Sequence, residues 1–236
     1  MSKYCFGIDV GGTTVKMGLF SQEGDLIEKW EIPTRTQDHG SLIIGDIAEA
    51  VEKKMAEKSI SKEDVLGIGL GVPGPVDKNG KVIQAVNLGW GVVDLKSEME
   101  QLTGLQVKAG NDANVAALGE QWKGGGKGYD DMVLVTLGTG VGGGIIVNGK
   151  MLVGSSGAGG EIGHIHLEDD ENEPCGCGNF GCLEQYASAT GITRLAGRKL
   201  KTSDKDSVLC GKTVSAKVVF DAVKAGDALA MEVAEE

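Results

Sequence analysis

The first half of the chain alternates between two patterns of apolar and polar positions. Short apolar or alternating runs predict β-strands, whereas apolar side chains spaced three and four apart predict a helix. The predicted strands are residues 4–10, 15–20, 25–32, 65–72 and 105–109. The predicted helices are residues 41–58, 94–102 and 111–122, and Ser41 is the predicted N-cap of the first.

The second half repeats the opening of the first. The segment GGGKGYDD at 124–131 is expected to be a flexible connection, so we predict two domains, residues 1–123 and residues 124–236. Residues 134–147 then read as a strand, a glycine turn and a strand, as residues 7–20 do. We interpret this as a weak internal duplication in which each half opens with a β-hairpin.

Composition and charge reduce the number of functional classes to which this chain could belong. The 236 residues include 39 glycines, more than twice the typical share of ~7%, which predicts many tight turns or close approaches of backbone to a ligand. The net charge of −11 argues against nucleic acid or an anionic membrane as a general partner. No apolar run approaches the ~20 residues that cross a bilayer, and no signal peptide is visible, so we expect a cytoplasmic protein.

Both predicted hairpin turns combine glycine with threonine. They consist of Gly11, Gly12, Thr13 and Thr14, and of Gly138, Thr139 and Gly140. Successive N–H groups in such a turn can surround phosphate oxygens, and Asp9 could orient Mg²⁺ or its water. A single turn is more simply a tight hairpin, but two matching turns favour phosphate binding. The G-x-G-x-x-G match at 138–143 is not a dinucleotide fingerprint, because a strand is predicted after it.

Asn111 and Asp112 are predicted to lie where a strand ends and a helix begins. An aspartate at this place is more often only an N-cap. The pair can equally present an amide and a carboxylate to sugar hydroxyls. A carboxylate within hydrogen-bond reach of a hydroxyl is what a kinase needs to accept its proton. The residues alone leave both interpretations open.

Three of the five cysteines, Cys175, Cys177 and Cys182, fall within eight residues. With His164 or His166 they would form a Cys₃His set, which is a closed and therefore structural kind of zinc site. Reduced structural thiols and a redox couple are the alternatives, although a C-x-C pair does not easily act as a C-x-x-C couple.

Acidic residues surround the cysteines. A bound metal would fix the positions of Glu161 and Glu184, which otherwise read as supporting or surface acids. The acidic run at 168–173 is most simply a solvated loop.

Together these motifs resemble the ROK family of sugar kinases, repressors and relatives, over the whole chain. The segments that carry the resemblance are IDVGGTTVKMGLF, VPGPVD, NLGW, NDANVAALGE, LVTLGTGVGGGIIVNGK, GAGGEIGHIHL and CGCGNFGCLEQYAS. The resemblance implies an α/β, actin/hexokinase-like (ribonuclease H-like) fold of two domains with a central cleft. It also implies an ATP-dependent hexose kinase acting on glucose. The alternatives are another hexose (fructose, mannose or an N-acetylhexosamine), or a non-catalytic sugar-binding or regulatory protein of the family, such as a sugar-sensing transcriptional repressor.

The resemblance further implies a role for individual residues. Asp112 would be the general base for the primary hydroxyl of the sugar. The implied substrate-binding residues are Asn87, Asn111, Asp112, Glu161, His164 and Glu184. The implied ATP- and Mg²⁺-binding residues are Asp9, Gly11, Gly12, Thr13, Thr14, Lys16, Gly138, Thr139 and Gly140. The implied ligands of a structural Zn²⁺ are His164, Cys175, Cys177 and Cys182.

Chains of this family run beyond position 236 and commonly self-associate. Residues 224–236 read as a helix that ends in two acids without a glycine cap, which is unfavourable at a helix C-terminus. We therefore expect an incomplete second domain, and a homo-oligomer that binds hexose and ATP but neither nucleic acid nor membrane.

Overall fold

Five strands form a mixed sheet in the first half of the chain. The structure, a computed structural model, describes residues 3–204 and 206–236. Strands β1 to β5 are Tyr4–Val10, Thr14–Ser21, Leu26–Pro33, Val65–Val72 and Val107–Asn111. Their order is β3-β2-β1-β4-β5, with β1, β4 and β5 parallel and β2 antiparallel to both of its neighbours. All five predicted strands are confirmed, although β5 begins and ends two residues later than predicted.

The parallel strands bring two candidate site residues to one edge of this sheet. Asp9 of β1 pairs with Gly71 of β4, and Val72 of β4 pairs with Asn111 at the end of β5. The carboxyl ends of parallel strands form the edge at which open α/β sheets usually bind ligands. Asp9 and Asn111 both lie there.

Helices follow the strands at the predicted places. Within the described residues, helices α1 to α8 are Gln37–Gly40, Ile43–Glu57, Leu95–Thr103, Asp112–Lys123, Glu184–Ala187, Ala189–Thr202, Ala216–Lys224 and Ala228–Glu235. The three helices predicted in the first half are confirmed as α2, α3 and α4. The N-cap prediction for Ser41 is wrong. Ser41 ends the short α1, where its N–H donates to the carbonyl of Asp38, and α2 begins after Leu42.

The helix predicted over 224–236 is shorter in the structure. Lys224 ends α7, and Gly226 has a φ of 80°, which ends regular helix there. Asp227 is the N-cap of α8, because its carboxylate accepts the N–H of Ala230 at 2.9 Å.

Three further strands surround the second glycine turn. They are β6 Met132–Leu137, β7 Val141–Val147 and β8 Lys150–Met151, in the order β6-β7-β8. The predicted strands on both sides of this turn are confirmed. In the first turn, β1 and β2 form an antiparallel hairpin that closes with the pair Val10 and Val15.

The chain divides into two compact units. One contains the described residues up to Val133 together with Gly144–Gly160, and the other contains Leu134–Gly143 and Glu161–Glu236. The domain bounds predicted from the sequence, 1–123 and 124–236, stay a prediction, and the compact units have other bounds.

Each unit has its own apolar core. In the first, inward side chains of β1, β2 and β4 pack with those of α2 and α3, and Phe6, Ile47 and Met99 are at most 1% exposed. In the second, α6, α7 and α8 pack through residues such as Leu195 and Leu229. Burying a side chain of this size stabilises the fold by roughly 1.5–3 kcal/mol.

Among the residues that the structure describes, no helix is both long enough and apolar enough to cross a membrane.

Candidate active site

The first glycine turn is held by a threonine from outside the turn. The N–H of Gly11 donates to the carbonyl of Thr14 at 3.1 Å and closes the turn. Thr34 then donates its hydroxyl to the carbonyl of Gly11 at 2.6 Å and its N–H to the carbonyl of Thr13 at 2.9 Å. Thr13 is exposed and Thr14 is partly buried. The turn therefore has a fixed shape while it still faces solvent.

Asp9 and Lys16 lie opposite each other beside this turn. They are a cross-strand pair of β1 and β2, and the Lys16 Nζ is 3.5 Å from the Asp9 carboxylate. Both side chains are more than half exposed, so their attraction contributes little to stability. They are available to a charged ligand.

Asn87 lies in a loop that touches the same turn. It belongs to a short 3-10 segment, Val86–Leu88, and a side-chain carbon added at Gly12 would come within 3.2 Å of its carbonyl. The loop is anchored by the buried Trp90, whose indole N–H donates to the carbonyl of Gly40 at 3.1 Å. The structure therefore brings Asn87 next to the first glycine turn.

Asn111, and not Asp112, is the N-cap of α4. Its side-chain oxygen accepts the N–H of Asn114 at 3.2 Å, and its amide donates to the carbonyl of Gly74 at 3.2 Å. The interpretation of Asp112 as the N-cap is therefore wrong, because Asp112 is already the first residue of the helix. The amide of Asn111 also ties α4 to the VPGPVD loop.

Asp112 is left available for chemistry, with an altered acidity. Loss of surrounding water raises the pKa of its carboxyl, and the negative charge of Asp9 raises it further. The N–H of Ala113 donates to the carboxylate at 2.8 Å and acts in the opposite direction. Asp112 still reaches solvent, so its desolvation is partial. A carboxylate with a raised pKa is a better proton acceptor than an ordinary aspartate.

The second glycine turn is held by the start of α6. The N–H of Ala189 donates to the carbonyl of Gly138 at 2.9 Å, and the hydroxyl of Thr190 donates to the carbonyl of Thr139 at 2.7 Å. These two hydrogen bonds therefore fix the orientation of both carbonyl groups. The cap of α6 is Ser188, whose hydroxyl accepts the N–H of Gly191 at 2.9 Å.

Glu184 connects this turn with the cysteines. One carboxylate oxygen accepts the N–H of Val141 at 2.9 Å, and the other lies 3.8 Å from the Cys175 sulfur. A side-chain carbon added at Gly140 would come within 2.2 Å of the carboxylate, so a larger residue at this position would displace the Glu184 side chain.

His164 and the three clustered cysteines converge in the second unit. The ligand atoms of His164, Cys175, Cys177 and Cys182 all lie within 4.8 Å of one another. The His164 Nδ1–Cys175 Sγ distance and the Cys177 Sγ–Cys182 Sγ distance are both 3.7 Å. A tetrahedron with metal–sulfur bonds of ~2.3 Å has sulfur–sulfur edges of about 3.8 Å. The residues therefore fit a zinc ion in both type and spacing.

His166, the other histidine considered, is engaged elsewhere. Its Nδ1 lies 3.0 Å from the carbonyl of Phe180, and its Nε2 lies 2.7 Å from the Asp169 carboxylate, which raises the pKa of the imidazole. The structure thus brings His164 to the cysteines and holds His166 against its own loop.

The environment of the thiols also suits a cation. Burial raises the pKa of Cys182 to about 12 and raises that of Cys175 as well. Such thiols keep their protons unless a metal ion compensates the charge of the thiolate. Glu161 lies near His164, with 3.9 Å between its carboxylate and the imidazole Nε2.

The acidic run at 168–173 is not simply a solvated loop, so that prediction is wrong for one residue. The side chain of Glu171 is fully buried and is paired with Arg194 and Arg198. These pairs hold the pKa of the Glu171 carboxyl far below its usual range, with Arg198 as the largest cause.

Sequence reasoning missed several residues that shape the site. They are Thr34 and Thr190 at the two turns, and Glu171 and Gln185 beside the cysteines. Each acts on a partner that is distant or buried. The one local signal is the serine and threonine pattern at the start of α6, which is typical of an N-cap.

Comparison with known proteins identifies the family. The model of the ROK family matches residues 5–236, so the chain belongs to the ROK family. A glucokinase of Halalkalibacterium halodurans is 48% identical over 239 residues, which cover 99% of this chain and 72% of that protein. A glucokinase of Thermotoga maritima is 40% identical, with 95% of this chain and 71% of that protein covered.

A solved structure supports the same assignment. The ROK family glucokinase of Streptomyces griseus, in complex with glucose and AMPPNP, superposes with a TM-score of 0.74 at 35% identity. The match covers 98% of this chain and 74% of that one. The predicted fold class, an α/β actin/hexokinase-like fold, is confirmed.

Proposed function

We propose that this protein is an ATP-dependent glucose kinase that produces glucose 6-phosphate. The observation that carries the proposal is the identity of 48% with a glucokinase over 99% of this chain. The residue types needed for such a reaction are present in this chain. They are found in the two glycine turns, in the Asn111–Asp112 pair and in the histidine–cysteine cluster.

Asp112 is proposed to be the general base. It accepts the proton of the C6 hydroxyl of glucose while that oxygen forms a bond to the γ-phosphorus of ATP. The bond from the γ-phosphorus to the bridging oxygen breaks, and ADP leaves with the bonding electrons. The raised pKa of Asp112 and its position at the start of a helix support this role.

The first unit is also proposed to hold part of the nucleotide. Asp9 would hold Mg²⁺ or its water, and Lys16 with the N–H groups of residues 11–14 would bind phosphate oxygens. Mg²⁺ supplies positive charge against the oxygens of the transferred group. Asn87 and Asn111 are proposed to bind glucose hydroxyls, and Asn111 keeps one amide hydrogen beyond the one given to Gly74.

The second unit is proposed to supply the remaining contacts. Gly138, Thr139 and Gly140 would bind phosphate, whereas Glu161, His164 and Glu184 would bind glucose hydroxyls. A structural Zn²⁺ on His164 and the three cysteines would hold His164 in place. With four protein ligands such a metal has no open position, so its contribution is to the shape of the site.

Replacing Asp112 tests the proposed chemistry. Asp112→Asn keeps the size of the side chain and removes the base, and we expect kcat to fall by about 10²- to 10⁴-fold in a coupled assay. Asp94→Asn is the control for loss of a carboxylate near a helix N-terminus, because Asp94 is the N-cap of α3 and asparagine caps equally well. A turnover close to that of the unchanged protein in Asp112→Asn would refute the assignment.

Substrate choice, assembly and location remain proposals as well. We propose glucose over fructose, mannose and N-acetylhexosamines, a homo-oligomer, and a cytoplasmic location. A hexose panel in the same assay tests the first, and sedimentation equilibrium tests the second. A higher kcat/KM for another hexose would show that this hexose, and not glucose, is the preferred substrate.

A further inference from the structure

Glu171 is a buried charge with an unusually complete set of partners. Its carboxylate accepts hydrogen bonds from both terminal nitrogens of Arg198, at 2.6 and 3.0 Å, and from Arg194 at 2.8 Å. The hydroxyl of Tyr186 and the N–H of Glu173 donate to it as well, each at 2.9 Å. A buried carboxylate is tolerated only when it is paired in this way.

The same residues continue to the cysteines. Glu173, two positions before Cys175, pairs with Arg198 at 3.1 Å, and its carbonyl accepts the side-chain amide of Gln185 at 2.9 Å. The other end of that amide accepts the N–H of Cys182 at 3.1 Å.

Arg194 closes the connection. It donates to the carbonyl of Gln185 at 3.0 Å, so helix α6 holds Gln185 as well as the acidic loop. The segments that carry Cys175 and Cys182 are therefore both attached to α6 through one set of charged groups. We call Glu171, Glu173, Arg194 and Arg198 the charge clamp.

We propose that Glu171 is a positioning residue of the metal site, which sets the spacing of Cys175 and Cys182 before a metal arrives. The inference rests on the proposed zinc site. Three thiolates repel one another, and a loop rich in glycine loses conformational entropy when it is ordered. A charge clamp that already orders the loop in the folded chain lowers the entropic cost of binding the metal.

The test is metal binding by the full chain, with Co²⁺ as a spectroscopic probe for Zn²⁺. Glu171→Gln is expected to weaken Co²⁺ binding by about 10- to 100-fold, the range typical of residues that support metal ligands. Zn²⁺ affinity, measured by competition with a chelator, is expected to fall by a similar factor. Glu168→Gln is the matched control, because this exposed residue lies in the same acidic run and outside the clamp.

A second variant guards against misfolding. Arg198→Lys keeps the positive charge and loses the two parallel hydrogen bonds, so it is expected to weaken Co²⁺ binding in the same direction. Variants are compared where their far-ultraviolet circular dichroism equals that of the unchanged chain. A residue that only stabilises the fold would lower the unfolding temperature and leave metal affinity unchanged.

The outcomes separate the two proposals. Tight Co²⁺ binding by the unchanged chain, together with the same affinity in Glu171→Gln or in a folded Arg198→Lys, overturns the positioning role alone. Failure of the unchanged chain to bind Co²⁺ through its thiolates overturns the zinc site and this inference together. Weakened binding in both variants with a normal Glu168→Gln supports it.

Discussion

Replacing Gly181 with alanine is expected to destabilise the cysteine loop by about 3–4 kcal/mol. Gly181 has a φ of 68°, which costs an alanine roughly 1–2 kcal/mol. A side-chain carbon there would lie 1.9 Å from the carbonyl oxygen of Glu168, so the two segments must separate by roughly 1.5 Å. That movement breaks the bonds from the N–H groups of Leu167 and Glu168 to the Gly181 carbonyl, each worth about 1 kcal/mol.

Two other glycines of the same loop distinguish the cost of backbone strain from the cost of a steric clash. Gly178 has a φ of 90° and open space around it, so Gly178→Ala is expected to cost only the roughly 1–2 kcal/mol of strain. Gly176 has open space and no positive φ, so Gly176→Ala is expected to be near neutral. The loss of stability on substitution by alanine is therefore expected to increase from Gly176 to Gly178 to Gly181.

Amide hydrogen exchange, read by mass spectrometry on peptides from 161–190 of the metal-free chain, measures this series. It reports local opening free energies, whereas all three tryptophans of the chain lie in the other unit and would not report this loop. Equal loss of protection in Gly178→Ala and Gly181→Ala would show that the close approach to Glu168 costs nothing, and would refute the reasoning.

Two predictions concern catalysis. Thr190→Val removes the hydroxyl that holds the carbonyl of Thr139, so we expect KM for ATP to rise about 5- to 10-fold while KM for glucose stays unchanged. Thr193→Val, on the same helix, is the control. An unaltered KM for ATP in Thr190→Val would contradict the proposed role of Thr190. Because the pKa of Asp112 is raised, kcat/KM is expected to fall with decreasing pH, with a midpoint above the pKa of ~3.9 of an ordinary aspartate. A pH–rate profile measures this midpoint. Loss of activity only below that pH would contradict the role of Asp112 as the base.

Local patterns were sufficient for most of the secondary structure. The predicted strands and the three helices of the first half depend on apolar spacing, which a sequence displays directly. Both failures concern the residue at which a helix begins. Ser41 is not a cap because α2 begins only after Leu42, and Asn111 is the cap of α4 because it, and not Asp112, is the residue immediately before the helix.

The candidate site could be predicted only in its residue types. The cysteine spacing indicates a metal but leaves His164 and His166 equivalent until the loop is seen to hold His166 against Asp169. Glu171 looks solvated because its arginine partners lie 23 and 27 residues further along the chain. Burial and pairing over such distances are properties of the fold, and no local pattern reports them.

Helix α6 is attached to two structures that differ in chemistry. Its first residues hold the carbonyl groups of the second glycine turn, and Arg194 and Arg198, one and two turns later, hold the loop that carries the cysteines. A helix transmits displacement along its axis with little deformation. The second glycine turn and the cysteine loop therefore share one support, and a substitution that loosens one end of α6 is expected to disturb the geometry at the other end as well.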